Sequence, residues 1–431
     1  MPIGRLRKHR TFIGQVGTIV SGRGIAAGIG LLLTPVVARL YSPDDFGLAA
    51  LFFAIAAIAV QVASLKYESA IALPREDGEA LRIATLSYRL VPASCVLLFV
   101  AIAVLQLAGS GAGRASQLGH WLWMLPLTVF LMAEQDVLES WLYRQLRFGV
   151  VSRSAVLDVS VAQGSRIAFG ALGGSSVAGL IVGQLLGVVA RLVVQGRAGW
   201  QSLAAAIRRA EPGTLRTVAA RYSDFAKLSA PAALLNVSNQ NLPVILFAAI
   251  FSPAVAGFFA MANRLTKAPI QIGSDSVRRV FLQRAARIHN EGRSLRRSYA
   301  LTTGGLFAIG ALPVLALALY GQPALTLLLG AKWSIAGHYA EIIAPWILTK
   351  WTSSASNPVF VILRRQRYWL LLHLVLTVVQ LGAFAAGHLL GLGPDGTLRL
   401  FITIAVAGHL LTMAIAWSLA GSVPRAEEKP A

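Results

Sequence analysis

The sequence is poor in acidic residues and almost free of cysteine. Its 431 residues hold 18 Asp plus Glu against 39 Lys plus Arg, and the only cysteine is Cys95. A single cysteine excludes an intrachain disulfide. Charged residues of both signs make up only 13% of the chain, roughly half of what a soluble domain usually carries. This leaves too little polar surface to cover a soluble particle of this size.

The motifs of common soluble enzymes are also missing from the sequence. No Gly-rich loop ends in Gly-Lys-Ser or Gly-Lys-Thr, which excludes ATP hydrolysis on a P-loop. The seven histidines are scattered and do not follow the spacing of metal ligands. We therefore expect no metal and no organic cofactor, and the sequence leaves coupling to a sodium or proton gradient open.

Long apolar runs dominate what is present. Hydrophobic residues make up 56% of the chain, and the mean hydropathy is +0.65. Each run is long enough to cross the hydrocarbon core, and a segment in lipid must satisfy its own backbone hydrogen bonds, so the runs should be helices. The sequence predicts an all-α polytopic membrane protein with about twelve transmembrane helices, at 14–38, 46–68, 82–107, 119–142, 149–171, 175–197, 225–250, 254–276, 299–320, 337–362, 368–390 and 397–420.

Basic residues alternate between the predicted connections. Most arginines fall on the amino terminus and the even connections, the longest of which are 198–223 and 277–298, while the odd connections hold only Arg39, Arg114, Lys332 and Arg399. Cytoplasmic loops of membrane proteins carry this excess. The pattern predicts a multi-pass protein of the bacterial inner membrane with both termini in the cytoplasm. It also accounts for the net charge of +21 without a nucleic-acid partner.

A short motif occurs twice. Residues 41–47 and 251–257 both read aromatic-Ser-Pro-x-x-x-Gly, and each joins an odd helix to the next. Because six helices separate the copies, the two halves should have the same orientation, as parallel repeats do. We expect an N-terminal six-helix bundle over 1–200, a basic cytoplasmic linker over 201–223, a C-terminal six-helix bundle over 224–420 and a tail over 421–431. A substrate site is expected between the halves.

Cations inside the predicted spans give the first candidate site. Arg23, Arg264 and Lys350 come from both halves and lie at middle or inner depth. A charge in the bilayer interior needs a partner, water or a function. We predict that the three side chains line a water-filled, cationic cavity that selects an anionic substrate.

Carboxylates in helices 4 and 5 form a second set, which consists of Glu134, Asp136, Glu139 and Asp158. Asp136 and Glu139 are three residues apart and so share one helix face. Two interpretations stay open. The carboxylates could take up a proton and couple transport to a gradient, or they could form permanent ion pairs with arginines such as Arg89 and Arg166.

Amide side chains form a third set. These residues are Asn236, Asn239, Gln240, Asn241 and Asn263. Pro231 and Pro243 flank the four amides of helix 7, and proline frees backbone carbonyls for other partners. The set could form a polar cavity wall that faces sugars or a hinge, or it could only pack helices together.

Five stretches of the sequence resemble one known family. They are residues 34–47, 66–74, 224–243, 257–269 and 329–337, and they span most of the chain in the family's order. The chain resembles Wzx-type polysaccharide repeat-unit flippases, of the multidrug/oligosaccharidyl-lipid/polysaccharide exporter superfamily. The resemblance implies two six-helix bundles in a V that opens alternately to each side of the membrane. It also implies that Arg23 and Arg264 stand where family cavities carry arginines.

The resemblance implies that the substrate is an oligosaccharide on undecaprenyl diphosphate, moved from the inner to the outer leaflet. Other expected partners are membrane lipids and the polysaccharide polymerase machinery, and we expect a monomer. The alternatives left open are a drug/cation antiporter or a peptidoglycan-precursor flippase of the same superfamily, a polysaccharide polymerase or ligase, and a carrier of unrelated fold.

Overall fold

The computed structural model describes residues 3–107, 114–174, 176–209 and 212–421, with side chains over 22–107, 118–174, 176–200, 203–204, 215–266 and 281–421. This part of the chain is almost entirely helical and holds no strand. Its fourteen α-helices are α1 (Ile3–Leu40), α2 (Pro43–Ala63), α3 (Asp77–Leu107), α4 (Leu125–Arg144), α5 (Phe148–Ala171), α6 (Val177–Arg209), α7 (Pro212–Arg221), α8 (Ala230–Ile250), α9 (Pro253–Asn290), α10 (Arg296–Leu329), α11 (Ser334–Ser353), α12 (Ser356–Ile362), α13 (Gln366–Leu389) and α14 (Gly393–Ala420).

Each of the twelve predicted helices corresponds to an observed element. Predicted helix 7 is a π-helical turn (Phe225–Ser229) followed by α8, and predicted helix 10 is divided into α11 and α12. Within the described ranges, eight helices are long and apolar enough to cross a membrane: α1, α2, α3, α6, α8, α10, α13 and α14. Helix α4 falls outside this group because three carboxylates lie in its middle. The protein is therefore a multi-pass, all-helical membrane protein.

Helices extend through most of the two long basic connections, which corrects the predicted helix boundaries. Helix α9 continues to Asn290 and helix α6 to Arg209, and α7 fills most of the remaining linker. Arginine favours helix nearly as well as alanine, so the basic segments extend the spanning helices beyond the predicted ends. Helix α7 is amphipathic, with Leu215 and Val218 buried.

The chain divides into two compact units, Met1–Gly257 and Phe258–Ala431. We call them unit 1 and unit 2. Helix α8 belongs to unit 1 because it packs along α2. The division of the chain at 1–200, 201–223 and 224–420 stays a prediction, and residues 422–431 of the predicted tail lie outside the described residues.

The repeated motif produces the same local structure twice. Ser42 caps α2: its hydroxyl accepts a hydrogen bond from the backbone N–H of Asp45 at 3.1 Å, and the Asp45 carboxylate accepts one from the Ser42 N–H at 3.1 Å. In the second copy, the Ser252 hydroxyl accepts from the Val255 N–H at 3.3 Å. Proline occupies the first helical position in both copies, where its missing N–H costs nothing.

The two copies also contact each other. A Cβ atom added to Gly47 would clash with the carbonyl oxygen of Pro253, and one added to Gly257 would clash with the carbonyl oxygen of Pro43. Such reciprocal contacts are what a two-fold relation produces. The geometry supports the predicted internal repeat, and it explains why both copies need glycine at this position.

Candidate functional site

Unit 1 contains a polar cavity with a volume of about 400 Å³. Its walls come from α1, α4, α6 and the turn after α2. The charged side chains that line it are Arg23, Lys66, Glu68, Asp136, Glu139 and Arg191. Three of these groups are cationic and three are anionic, so the cavity is polar and charge-balanced rather than purely cationic.

Glu139 on α4 lies at the centre of an ion-pair network. Its Oε1 atom accepts a hydrogen bond from Arg23 Nη2 at 2.9 Å and another from the Tyr143 hydroxyl at 2.7 Å. Its Oε2 atom accepts from Arg191 on α6. Arg191 also lies 3.4 Å from the Asp158 carboxylate on α5. The network ties four helices of unit 1 together: α1, α4, α5 and α6.

The members of this network differ in exposure. The Glu139, Arg191 and Asp158 side chains are 11%, 12% and 12% exposed, whereas Arg23 is 60% exposed. A guanidinium has five N–H donors, and Arg23 uses one nitrogen on Glu139 and Tyr143. Arg23 is therefore the cation of this network that has donors and surface available for a ligand.

The turn after α2 supplies the opposite wall of the cavity. Leu65 and Lys66 both adopt left-handed backbone conformations, with φ of 51° and 61°. Such values are uncommon for residues other than glycine. Here they bring the Lys66 ammonium to 3.2 Å from the Glu68 carboxylate, within the cavity lining.

The predicted carboxylates occupy different places. Asp136 and Glu139 line the cavity from one face of α4, as their spacing predicts. Asp158 joins the network through Arg191, while Glu134 forms a hydrogen bond with Tyr88 of α3. The predicted partner Arg166 instead donates to the side-chain oxygens of Gln163 and Gln184, at 2.9 and 2.6 Å.

Arg191 is the charged member of the network that was not predicted from the sequence. It lies in α6 with apolar residues on both sides, which is the same signal that pointed to Arg23. Its closeness to the basic residues at the end of α6 hid that signal. No sequence pattern indicated that it bridges Glu139 and Asp158.

The amide residues of α8 lie mainly on accessible surface of unit 1. Asn236 and Gln240 are exposed and are one helical turn apart, and Asn239 is half-buried. The Asn241 side chain is satisfied within the helix, since it donates to the Val237 carbonyl at 2.8 Å. Asn263 of α9 is buried, and its side-chain oxygen has no hydrogen-bond partner among the described residues.

The remaining two predicted cations belong to unit 2. Arg264 is exposed on α9. Lys350 on α11 places its ammonium 4.8 Å from the centre of the Trp346 ring, within the range of a cation–π contact. A cavity shared by Arg23, Arg264 and Lys350 stays a prediction.

Comparison with solved structures places the fold. The chain is similar to an inward-facing multidrug resistance MATE family transporter of the MOP superfamily, with 16% identity, a TM-score of 0.70, and coverage of 93% of this chain and 95% of that one. It is similar to the lipid II flippase MurJ, with 12% identity, a TM-score of 0.70, and coverage of 92% and 87%. A MOP superfamily transporter from Pyrococcus furiosus Vc1 matches at 14% identity and a TM-score of 0.56, over 94% of each chain.

Comparison of sequences places the family. No curated protein sequence matches the chain significantly. The family model described as polysaccharide biosynthesis protein matches residues 36–337, which is well over half of the chain. The matched region includes both copies of the repeated motif and the network residues of α4, α5 and α6. The chain therefore belongs to the polysaccharide biosynthesis protein family, on the helical fold of MOP superfamily transporters.

Proposed function

We propose that the protein is a flippase that moves undecaprenyl-diphosphate-linked oligosaccharides from the inner to the outer leaflet of the bacterial inner membrane, by alternating access. The observation that carries the proposal is the position of Arg23. It lies in a spanning helix and lines a polar cavity, and most of its surface is accessible. The family and the fold agree with transport of a polysaccharide precursor.

Arg23 suits a diphosphate for chemical reasons. A guanidinium binds phosphate oxygens with two parallel hydrogen bonds, and such charge-assisted bonds are roughly twice as strong as neutral ones. Glu139 and Tyr143 fix the side chain from one side and leave donors for the ligand. In the proposal, Arg264 and Lys350 supply further positive charge during the transport cycle, and the amides of α8 together with Asn263 face the sugars.

The network offers a route for coupling to a proton or sodium gradient. Glu139 is shared by Arg23 and Arg191. Neutralisation of Glu139 would weaken the hold on Arg23 and release it for the substrate, and Asp136, which lines the same cavity, is a second carboxylate that could take up the coupling ion. The ion pair of Asp158 with Arg191 would keep α5 and α6 in place throughout. The polysaccharide polymerase machinery and membrane lipids are the partners we expect beside the substrate, for a protein acting as a monomer.

A drug/cation antiporter is the second candidate, and one observation favours it. Asp136 and Glu139 line the cavity, and carboxylates attract organic cations. Against it, Glu139 is already neutralised by two arginines, and the family model is one of polysaccharide biosynthesis. A peptidoglycan-precursor flippase also fits the fold, since the lipid II flippase MurJ is among the similar structures.

Complementation tests the proposal. The gene is expressed in a strain that lacks its own repeat-unit flippase, and surface polysaccharide is measured. We expect restored polysaccharide with the wild type, none with Arg23→Ala, and partial restoration with Arg23→Lys, which keeps the charge but loses the planar fork. Arg82→Ala, at an exposed position of α3, is the matched control. Drug resistance without polysaccharide would favour the antiporter instead.

A further inference from the structure

Three helices of unit 2 bring together basic groups that are far apart in the sequence. Helices α11 and α13 both pack against α14. Lys350 and His373 lie close enough to the His409 imidazole to interact with it electrostatically. The Ser353 hydroxyl lies 3.3 Å from His409 Nδ1. We call Lys350, His373 and His409 the basic cluster.

Hydrogen bonding around Ser353 determines which nitrogen of His409 can take up a proton. The Ser353 hydroxyl donates its single hydrogen to the Lys350 carbonyl at 3.1 Å. With the hydroxyl hydrogen on that carbonyl, its oxygen accepts from His409, and the neutral imidazole of this tautomer carries its hydrogen on Nδ1. This leaves Nε2 of His409 as the atom that is protonated when the residue becomes charged.

His373 has a nitrogen that is not used by the fold. Its ring lies against Trp369, with 3.9 Å between the ring centres. Its Nε2 atom is buried and has no hydrogen-bond partner within the described part of the chain. A buried polar atom of this kind costs free energy unless a ligand or a proton satisfies it.

Within helices α10–α14, the described residues give the cluster no acidic partner. The acidic residues of α10–α14 are Glu341 and Asp395, and both contact His338 instead, at 3.8 and 2.8 Å. Lys350 is nine residues after Glu341, which is about 14 Å along a helix. Helix α10 adds two more cations, Arg296 and Arg297 at its start, and two tyrosine hydroxyls. Helix α12 adds no ionisable group, and Arg367 at the start of α13 is again a cation. Unit 2 thus differs from unit 1, where every network cation has a carboxylate.

We propose that Lys350, His373 and His409 form a proton-dependent site for a phosphoryl anion, and that this anion is the diphosphate of the lipid-linked substrate. The proposal rests on the proposed function and adds the regulation of substrate binding. With both histidines neutral, Lys350 is the one charge of the cluster. Protonation of the histidines adds like charges that an anion must neutralise, so anion binding and proton uptake favour each other. Substrate binding would thereby draw a proton into the membrane interior.

The test measures binding to the purified full-length protein in detergent. The probe is an undecaprenyl-diphosphate sugar. Each of its two phosphate groups keeps one negative charge between about pH 5.5 and 8, the range in which histidine titrates. We expect the wild type to bind about tenfold more tightly at the lower pH, as an added unit charge near an anion implies. The double variant His373→Gln/His409→Gln should lose this difference. Lys350→Gln should bind weakly at both values.

His388→Gln is the matched control, because His388 lies on α13 but is exposed at its far end, and it should behave as wild type. If the double variant is not recovered folded, the two single variants should each lose part of the pH dependence. Affinity of the wild type that does not change with pH, or pH dependence retained in the double variant, would overturn the proposal. Binding of inorganic pyrophosphate that depends on pH, together with binding of the lipid that does not, would also overturn the proposal. The flippase function itself is separate, since complementation by the wild type does not depend on these results.

Discussion

Glu139 shows how one side chain can serve both the stability and the function of unit 1. Its two oxygens divide between Arg23, which is mostly exposed, and Arg191, which is not. A buried charge that loses its partner destabilises a protein strongly, whereas an exposed pair contributes little. The two arginines should therefore respond differently to the same substitution.

Arg191→Ala should lower stability, because Glu139 and Asp158 would both lose a buried partner. We expect a loss of about 3–5 kcal/mol, seen as reduced membrane abundance and a lower melting temperature of the solubilised protein. Arg23→Ala should keep abundance near the wild-type level and lose transport. Equal losses of protein in both variants would show that Arg23 is a structural residue and not a substrate contact.

Asp136→Asn tests the coupling role of the cavity carboxylates. The change keeps the shape of the side chain and removes its charge, so membrane abundance should stay normal while gradient-driven transport falls. Glu134→Gln is a useful comparison, because Glu134 interacts with Tyr88 of α3 instead, and it should keep gradient dependence. The measurement is lipid transport in proteoliposomes with and without an imposed proton or sodium gradient. If the Asp136→Asn variant transports the lipid with unchanged gradient dependence, Asp136 does not couple transport to the gradient.

The sequence could supply the list of intramembrane charges but not their partners. Arg23, Asp136 and Glu139 are recognisable from an apolar context and a three-residue spacing. That Glu139 pairs with Arg191, and that His373 and His409 meet beside Lys350, depends on which helices pack together. Those contacts join residues more than twenty positions apart, and no local pattern encodes them.

At the scale of elements, the existence of helices was easier to predict than their ends. Apolar runs mark the membrane-spanning part, because the bilayer requires both apolar side chains and a satisfied backbone. The basic segments at the ends of α6 and α9 were placed in connections because they carry charge. A change from apolar to basic residues marks the end of the membrane and not the end of the helix.

The contact between the repeated motifs gives a prediction at this scale. Gly47→Leu or Gly257→Leu should force the start of α2 away from the start of α9, since each backbone carbonyl leaves no room for a side chain. Overpacking of this kind typically costs about 1–3 kcal/mol. We expect both variants to lose complementation of surface polysaccharide. Gly164→Leu is the control, because a Cβ atom there meets nothing within 4 Å, and it should complement normally.

At the scale of the whole molecule, the distribution of charge predicts topology. Asn290 is exposed at the end of α9, within the most basic connection. Asn290→Cys in a Cys95→Ser background should react with a membrane-impermeant thiol reagent only when the cytoplasmic side is accessible. The buried Cys95 is removed so that a single thiol reports. Labelling of position 290 in intact cells would reverse the predicted orientation and remove the charge argument.

The central claim is that the protein moves a lipid-linked oligosaccharide between leaflets, and transport in proteoliposomes tests it most directly. The purified protein is reconstituted with an undecaprenyl-diphosphate oligosaccharide, and an added glycosidase reports how much substrate has reached the accessible leaflet over time. We expect wild-type protein to speed this exposure well above the rate in empty liposomes, and Arg23→Ala, at equal reconstitution, to leave it at that rate. If liposomes with the wild-type protein expose the substrate no faster than empty liposomes under every imposed gradient, the protein is not a flippase for this substrate.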